Sequence, residues 1–362
     1  MTGPAAGVRR RAAARAVAGP ARAAGATALL VAVALLVLAT LLALGGYDVP
    51  RALGALWRGS VGSSYALTSA TLVRATPLLL AGLAVTVAFR AGVWNIGAEG
   101  QLLVGAAAAV GMASLPMPGV FRVALALCAA ATAGALWAAP AAALRARGVL
   151  EVISTIMLNF VALNLVGFLV RGPLQEPTHA YPQSSTLPLE ARLPRIAGTR
   201  LHLGVAIAVA AALVLWVIMT RTAWGFRVRA VGANARAAAT AGLIDVARTT
   251  RTAFLLSGAL AGLAGGIEAT GVTFALYEGL SPGYGYTAIA VALLARLDPI
   301  LVVPSAFLFG ALEAGATAMQ RDASVPSALV SVVEGSLVLL VLAAPRLRAL
   351  LDSALARRAA AA

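Results

Sequence analysis

The chain has 362 residues, of which 61% are hydrophobic and only 11% are charged, and its mean hydropathy is +0.91. This composition excludes a soluble globular domain of this length and indicates a protein that crosses a membrane several times. The net charge of +15 does not indicate a nucleic-acid partner, because the 28 basic residues, all arginines, sit in short clusters between hydrophobic segments, as topology signals do.

Hydrophobic segments follow a basic tail, residues 1–25, along the rest of the chain. They fall at 26–45, 66–89, 93–115, 121–144, 150–170, 201–220, 251–274, 283–296, 299–319 and 327–344. The first resembles a signal peptide, but no small-residue cleavage site follows it, so we predict a retained helix. The eighth is too short for a full crossing and follows "EGLSPGYGY", which indicates a broken or half-depth segment. The sequence therefore predicts an all-α, polytopic helical bundle of about ten spans.

Arginine placement sets the orientation of this bundle. With the N-terminus inside, most arginines fall on the cytoplasmic side, and Arg74 alone lies away from the ends of a predicted span. This bias places both termini in the cytoplasm. The prediction is a transmembrane domain over 26–345 and a cytoplasmic C-terminal tail over 346–362.

Two connections are long. Residues 171–200 are rich in proline and polar residues and are expected outside, whereas the basic residues 221–250 are expected inside. The inner connection contains "NARAAATAG", which has good helix formers between an Asn start and a Gly stop. Either a short helix lies along the membrane face, available to a soluble partner, or the connection is merely a solvated basic loop.

Polar residues interrupt several predicted spans. Asn95 and Glu99 in "GVWNIGAEGQL" are four apart and share one face of the predicted helix. In the fifth span, Glu151, Thr155 and Asn159 repeat at the same spacing and form a polar stripe. These groups either line a translocation path or fix the bundle by hydrogen bonds between helices. The pathway candidates are Asn95, Glu99, Glu151, Thr155, Asn159 and Glu268.

The seventh span carries Gly258, Gly262 and Gly266 in a doubled G-x-x-x-G pattern, which predicts close packing of two helices. The sequence has no Walker A motif, no H-E-x-x-H and no serine nucleophile elbow, and its single cysteine and two distant histidines form no local metal motif. We therefore predict no catalytic residue, metal site or cofactor on this chain. If ATP drives the protein, another chain binds it.

Five segments, in this order, resemble a known family: "FRAGVWNIGAEGQLLVGA", "EVISTIMLNFVALNLV", "GFRVRAVGANARAAATAGL", "SGALAGLAGGIEATGV" and "LSPGYGYTAIAVALLAR". They resemble the larger permease of bacterial ABC importers of the simple-sugar and nucleoside class, served by basic-membrane-protein-type lipoproteins, within the branched-chain amino acid and ribose permease superfamily. The resemblance covers 66–345.

The resemblance implies a bacterial plasma-membrane subunit that is not itself an enzyme. Its expected partners are two ABC ATPase subunits that hold ATP and Mg²⁺, a paralogous permease or second copy of this chain, and an extracytoplasmic substrate-binding lipoprotein. The family's coupling helix matches "RAVGANARAAATAGL". The coupling residues implied by this match are Arg229, Gly232, Asn234, Arg236, Ala238 and Gly242.

Together these features favour an importer of nucleosides that works by alternating access. The alternatives are an importer of simple sugars such as ribose or galactose, and a proton-coupled secondary transporter that uses Glu99 or Glu268. A helix that docks an ATPase argues against a self-sufficient carrier. A structural scaffold would not need the polar stripe of the fifth span.

Overall fold

A computed structural model of the chain describes residues 32, 33, 35–242 and 244–326, together with 328, 329, 331, 332, 335, 336 and 339. The predicted tails 1–25 and 346–362, the start of the first predicted span and most of the tenth, 327–344, lie outside the described residues. Regular structure in the described part is helical, apart from isolated β-bridges.

The helices are α1 (Leu35–Leu44), α2 (Val49–Ser60), α3 (Ser64–Arg90), α4 (Ala98–Ala113), α5 (Gly119–Ala146), α6 (Glu151–Val170), α7 (Gly204–Arg221), α8 (Ala223–Ala233), α9 (Ala235–Thr240), α10 (Val246–Thr273), α11 (Tyr284–Leu294) and α12 (Pro299–Ala323). Within the described residues, six are long and apolar enough to cross a membrane: α3, α5, α6, α7, α10 and α12. The prediction of an all-helical chain with several membrane spans is confirmed at this level.

Several helices differ from those that the hydrophobic segments of the sequence predict. The predicted span 93–115 becomes a helix only at Ala98, because a non-helical segment precedes it. Helix α2 was not predicted, since "VPRALGALWRGS" interleaves arginines with its apolar residues and does not read as a hydrophobic run. Much of the predicted loop 221–250 is also helical, in α8, α9 and the first turn of α10.

The chain divides into two compact units. One comprises the described residues of Met1–Gly54 and Met319–Ala362, in which Arg51 Nε donates a hydrogen bond of 2.9 Å to the Asp322 carbonyl. The other, Ala55–Ala318, contains the residues discussed below, apart from the tails and the tenth span.

Helices α3 and α10 form the interior of the second unit. The most apolar window of α3 is 83% buried, whereas the corresponding window of α5 is 22% buried. The interior is built largely from alanines, such as Ala84, Ala261 and Ala288, which let helix axes approach closely. Helices α5 and α7 therefore present most of their surface outward.

The predicted packing glycines lie where α10 crosses α5. A side chain at Gly258 would collide with the carbonyl of Gly134, and one at Gly262 with the carbonyl of Ala130. Gly266 faces the Ala130 methyl group. The closest approach of the two helices therefore depends on the absence of side chains.

The connection 171–200 is ordered by backbone hydrogen bonds to the end of α10 and the residues after it. The amide of Leu187 donates to the Phe274 carbonyl at 2.7 Å, and that of Leu193 to the Thr270 carbonyl at 2.9 Å. Arg192 and Arg195 place their guanidinium groups over the Phe274 ring, 4.5 and 4.4 Å from its centroid. The connection thus covers this end of α10.

Candidate functional site

A break separates α3 from α4 and contains the polar sequence predicted to lie in a helix. Gly92 has a φ of +71°, which glycine adopts without strain, and regular helix resumes only at Ala98. The backbone groups of residues 91–97 therefore lie outside any helix, in a mostly buried part of the chain. Such groups need hydrogen-bond partners where water is excluded.

Asn95 supplies partners for this break. Its amide nitrogen donates to Gln101 Oε1 at 3.0 Å and Ser257 Oγ at 2.9 Å, and its oxygen accepts from the Gly97 amide at 2.9 Å. The side chain is fully buried and its hydrogen-bonding capacity is used, which fixes the break against α10. The prediction that Asn95 and Glu99 share one helical face is wrong, because Asn95 lies before the helix begins.

Asn159 of α6 holds the break from the opposite side. Its oxygen accepts from the Gly100 amide at 2.8 Å, and its nitrogen donates to the Ile96 carbonyl at 2.9 Å and to Tyr286 Oη at 3.2 Å. One buried side chain therefore connects α6, the start of α4 and the first turn of α11.

The other two residues of the polar stripe on α6, Glu151 and Thr155, face the same break. Glu151 Oε1 accepts from the Trp94 amide at 3.3 Å and lies 3.5 Å from Arg145 Nε. Thr155 donates to the Glu151 carbonyl within its own helix, at 2.7 Å, and is buried beside Gly97. The polar stripe of the fifth predicted span thus faces α4 and the segment before it.

Glu99 joins the N-termini of the two short helices. It lies in the first turn of α4, and its Oε2 accepts from the Gly285 amide at 2.7 Å in the first turn of α11. Ser281 also donates to this carboxylate. A side chain at 285 would collide with the backbone of Glu99, so the glycine permits the approach. A carboxylate at a helix N-terminus is stabilised by the helix dipole.

Glu268 lies apart from this network. It ends the α-helical part of α10, is buried, and its Oε2 has no hydrogen-bond partner among the described residues. The charges of Arg74 and Arg200 act on it, and Arg74 itself donates to Thr317 Oγ1 at 3.1 Å. A buried carboxylate near two arginine charges remains a candidate for the pathway that the sequence indicates.

Helix α9 occupies the sequence predicted as a surface helix. Asn234 caps it by accepting from the Ala237 amide at 3.0 Å, and Gly242 follows it with a φ of +72°. Arg236 is exposed, whereas Ala238 is only 6% exposed and faces the rest of the chain. Arg229 is half-buried, with one nitrogen fully buried, so Arg236 is the more accessible of the two arginines in this set.

Gly232, near the end of α8, lies against the start of the break. A side chain at 232 would collide with the Arg90 carbonyl, and Gly92 faces the Gly232 backbone. The segment that carries α9 therefore contacts the chain where α3 ends.

The pathway candidates chosen from the sequence did not include four partners in these networks: Gln101, Ser257, Ser281 and Tyr286. Gln101 carried a signal, since an amide in an apolar run needs a partner. Ser257 borders the packing glycines, but its proximity to Asn95 is a tertiary contact that spacing along the chain does not reveal.

Comparisons with known proteins agree with this architecture. Residues 67–342 match the family described as branched-chain amino acid transport system / permease component. The chain is 40% identical over 308 residues to a guanosine ABC transporter permease of Bacillus subtilis, covering 83% of this chain and 88% of that protein.

Two further relatives are also named as ABC transporter permeases, one for glucose and one for nucleosides. A glucose ABC transporter permease of Haloferax volcanii is 39% identical over 82% of this chain and 80% of its own length. A nucleoside ABC transporter permease of Lactococcus lactis is 31% identical over 75% of this chain and 78% of its own length. No solved structure matches the chain. With the family match extending over most of its length, the chain belongs to the branched-chain amino acid transport system / permease component family of ABC transporters.

Proposed function

We propose that this chain is the membrane-spanning permease subunit of an ABC importer whose cargo is nucleosides. The structural observation that carries the proposal is the contact at Gly232, where the segment bearing α9 lies against Arg90 and Gly92 at the start of the break. In this arrangement a movement of α9 is passed through Gly232 to Arg90 and Gly92, at the start of the break that Asn95 holds.

The proposed architecture has ten spans, with both termini in the cytoplasm of a bacterial plasma membrane. The transmembrane domain covers 26–345, between the tails 1–25 and 346–362, with 171–200 outside and 221–250 inside. Helices α4 and α11 are shorter than the ~20 residues of a full crossing, and their first turns meet through Glu99 and Gly285. Paired short helices whose N-termini meet within a bundle are typical of transporter binding regions.

The proposed pathway is lined by groups around the two short helices. Asn95, Glu151, Thr155 and Asn159 hold the break in one arrangement, and a coordinated change of their hydrogen bonds gives the second arrangement that alternating access needs. The pathway set is completed by Glu99 and Glu268.

Coupling is assigned to the segment from Arg229 to Gly242. Arg236 and the exposed face of α9 contact the ATPase, whereas Ala238 and Gly232 transmit the movement inward to the permease. Asn234 and Gly242 define the ends of α9, and Arg229 lies in the preceding helix α8 with one nitrogen buried. ATP and Mg²⁺ bind to the partner ATPases, and this chain makes and breaks no covalent bond.

The cargo is tested by uptake competition in cells that carry this permease with its ATPase, second permease and binding lipoprotein. The relative named as a guanosine permease favours nucleosides as the cargo. The relative named as a glucose permease supports sugars as the second candidate. We expect unlabelled adenosine or guanosine to abolish labelled guanosine uptake, and ribose or glucose at the same concentration to leave it unchanged. Sugar uptake without guanosine uptake would establish the second candidate instead.

A further inference from the structure

A groove of about 680 Å³ opens between the C-terminal end of α5 and the N-terminal end of α10. The two helices are antiparallel and touch at Gly134 and Gly258, so the groove lies between their ends on one side of this contact. Towards the contact its accessible lining is apolar, including Ala139, Ala143 and Leu255. Towards the helix ends its lining is basic.

Four arginines supply this basic end: Arg145, Arg147, Arg248 and Arg251. Arg145 lies 3.5 Å from Glu151, while no ion pair within the described residues engages the other three. The carboxylate of Asp245 also lines the groove, but it accepts from the Arg248 amide at 2.8 Å as the cap of α10. A surplus of exposed positive charge therefore borders an apolar groove.

We propose that this groove binds an anionic phospholipid of the cytoplasmic leaflet, with the headgroup phosphate on Arg147, Arg248 and Arg251 and an acyl chain along α5. The choice of leaflet rests on the proposed function, which places these arginines in the cytoplasm. Basic pockets between helix ends on that side suit anionic headgroups.

The shape of the groove favours a lipid over an acidic protein surface. Its apolar part extends along α5, the span that is largely exposed on its outer surface. An acidic segment of an ATPase would use the arginines and leave Ala143 and Leu255 uncovered. An amphiphile covers both parts.

The test measures lipid binding to the purified full-length chain in a neutral detergent, with phosphatidylglycerol, phosphatidylcholine and glycerol 3-phosphate as probes. Phosphatidylglycerol should bind, phosphatidylcholine should bind at least about tenfold more weakly, and glycerol 3-phosphate should not compete. The double variant Arg248→Gln/Arg251→Gln should bind phosphatidylglycerol about 25-fold more weakly, since each arginine near an anionic lipid contributes about a factor of five.

The matched control is Arg221→Gln/Arg227→Gln, which removes two exposed arginines of the same proposed membrane side and retains the groove. It should bind as the wild type does. Ala143→Trp fills the apolar part without changing charge and should also weaken binding, so the proposal stays testable if the arginine variant does not fold.

Equal loss in the control variant would show a general charge effect and overturn the proposal. Equal binding of phosphatidylcholine, or competition by glycerol 3-phosphate, would also overturn it. The same holds if a groove variant no longer co-purifies with the ATPase but still binds phosphatidylglycerol as the wild type does. Because binding is measured without transport, a negative result with intact nucleoside uptake refutes the lipid site and leaves the proposed function standing.

Discussion

At the scale of single residues, buried polar groups do most to define the break between α3 and α4. Asn95 and Asn159 together bind backbone groups of Ile96, Gly97 and Gly100. Unsatisfied, each such group would cost about 1–3 kcal/mol in a buried setting. These two side chains therefore stabilise a non-helical segment that the surrounding apolar sequence would otherwise favour as helix.

Glu99 provides the first prediction. Glu99→Ala leaves the Gly285 amide without its acceptor and should lower the free energy of unfolding by about 1–3 kcal/mol. Glu99→Gln keeps an acceptor oxygen and should assemble as the wild type does. Because the negative charge is lost from the proposed pathway, uptake by this variant should fall by at least about tenfold, the equivalent of 1.4 kcal/mol.

Thermal unfolding in detergent and labelled guanosine uptake measure the two effects separately. Wild-type uptake by Glu99→Gln would restrict Glu99 to a structural role.

His202 provides a pH prediction. It lies between the connection 171–200 and the start of α7. Burial first, and the charge of Arg195 second, lower its pKa from 6.5 to about 4. Between these values the unfolded chain binds a proton that the folded chain does not, so the free energy of unfolding decreases as the pH falls. The decrease should be about 3 kcal/mol in total.

His202→Asn keeps an acceptor for the Gly204 amide, which now donates to His202 Nδ1, and removes the titrating ring. Thermal unfolding between pH 7.5 and 4 should show a flatter pH dependence for this variant. Identical slopes for both proteins would refute the assignment.

At the scale of elements, packing of α10 depends on small residues at defined positions. Gly262→Ala places a methyl group against the Ala130 carbonyl and should destabilise the chain by about 1–3 kcal/mol. Gly111→Ala in α4 meets no atom within 4 Å and should stabilise the chain by about 0.5–1 kcal/mol. Unfolding temperatures of equal sign for the two variants would contradict this account.

Many of the helices and some of their ends could be predicted from the sequence. Hydrophobic runs located the long helices, and the Asn and Gly of "NARAAATAG" indicated the ends of α9. The break at 91–97 could not be located, because hydropathy averages over several residues and the apolar neighbours of Asn95 conceal a local change of backbone. The inward orientation of Ala238 also depends on tertiary contacts, which a short alanine-rich helix does not encode in its own pattern.

At the scale of the whole molecule, the ten-span arrangement predicts opposite sides for the two long connections. A reporter fused after Ala180 should be outside and one fused after Ala235 inside. Both positions are exposed, and a fusion after Ala235 interrupts only the short helix α9, of which Ala235 is the first residue. Alkaline phosphatase activity reports the outside and fluorescent protein the inside. The same side for both fusions would disprove the arrangement.

The central claim is that α9 links ATP hydrolysis to nucleoside transport. The direct measurement is ATP hydrolysis by the reconstituted importer, with and without nucleoside-loaded binding protein, for the wild type and for Arg236→Glu. Arg58→Glu, an exposed arginine of α2 on the proposed outer side, is the matched charge reversal.

Loaded binding protein should stimulate hydrolysis severalfold in the wild type and in Arg58→Glu. Arg236→Glu should retain the fold of the permease and lose most of this stimulation, or lose the ATPase on purification. Full ATPase association together with full stimulation in Arg236→Glu would contradict the assigned coupling surface, and a wild type without nucleoside-dependent stimulation would contradict the account as a whole.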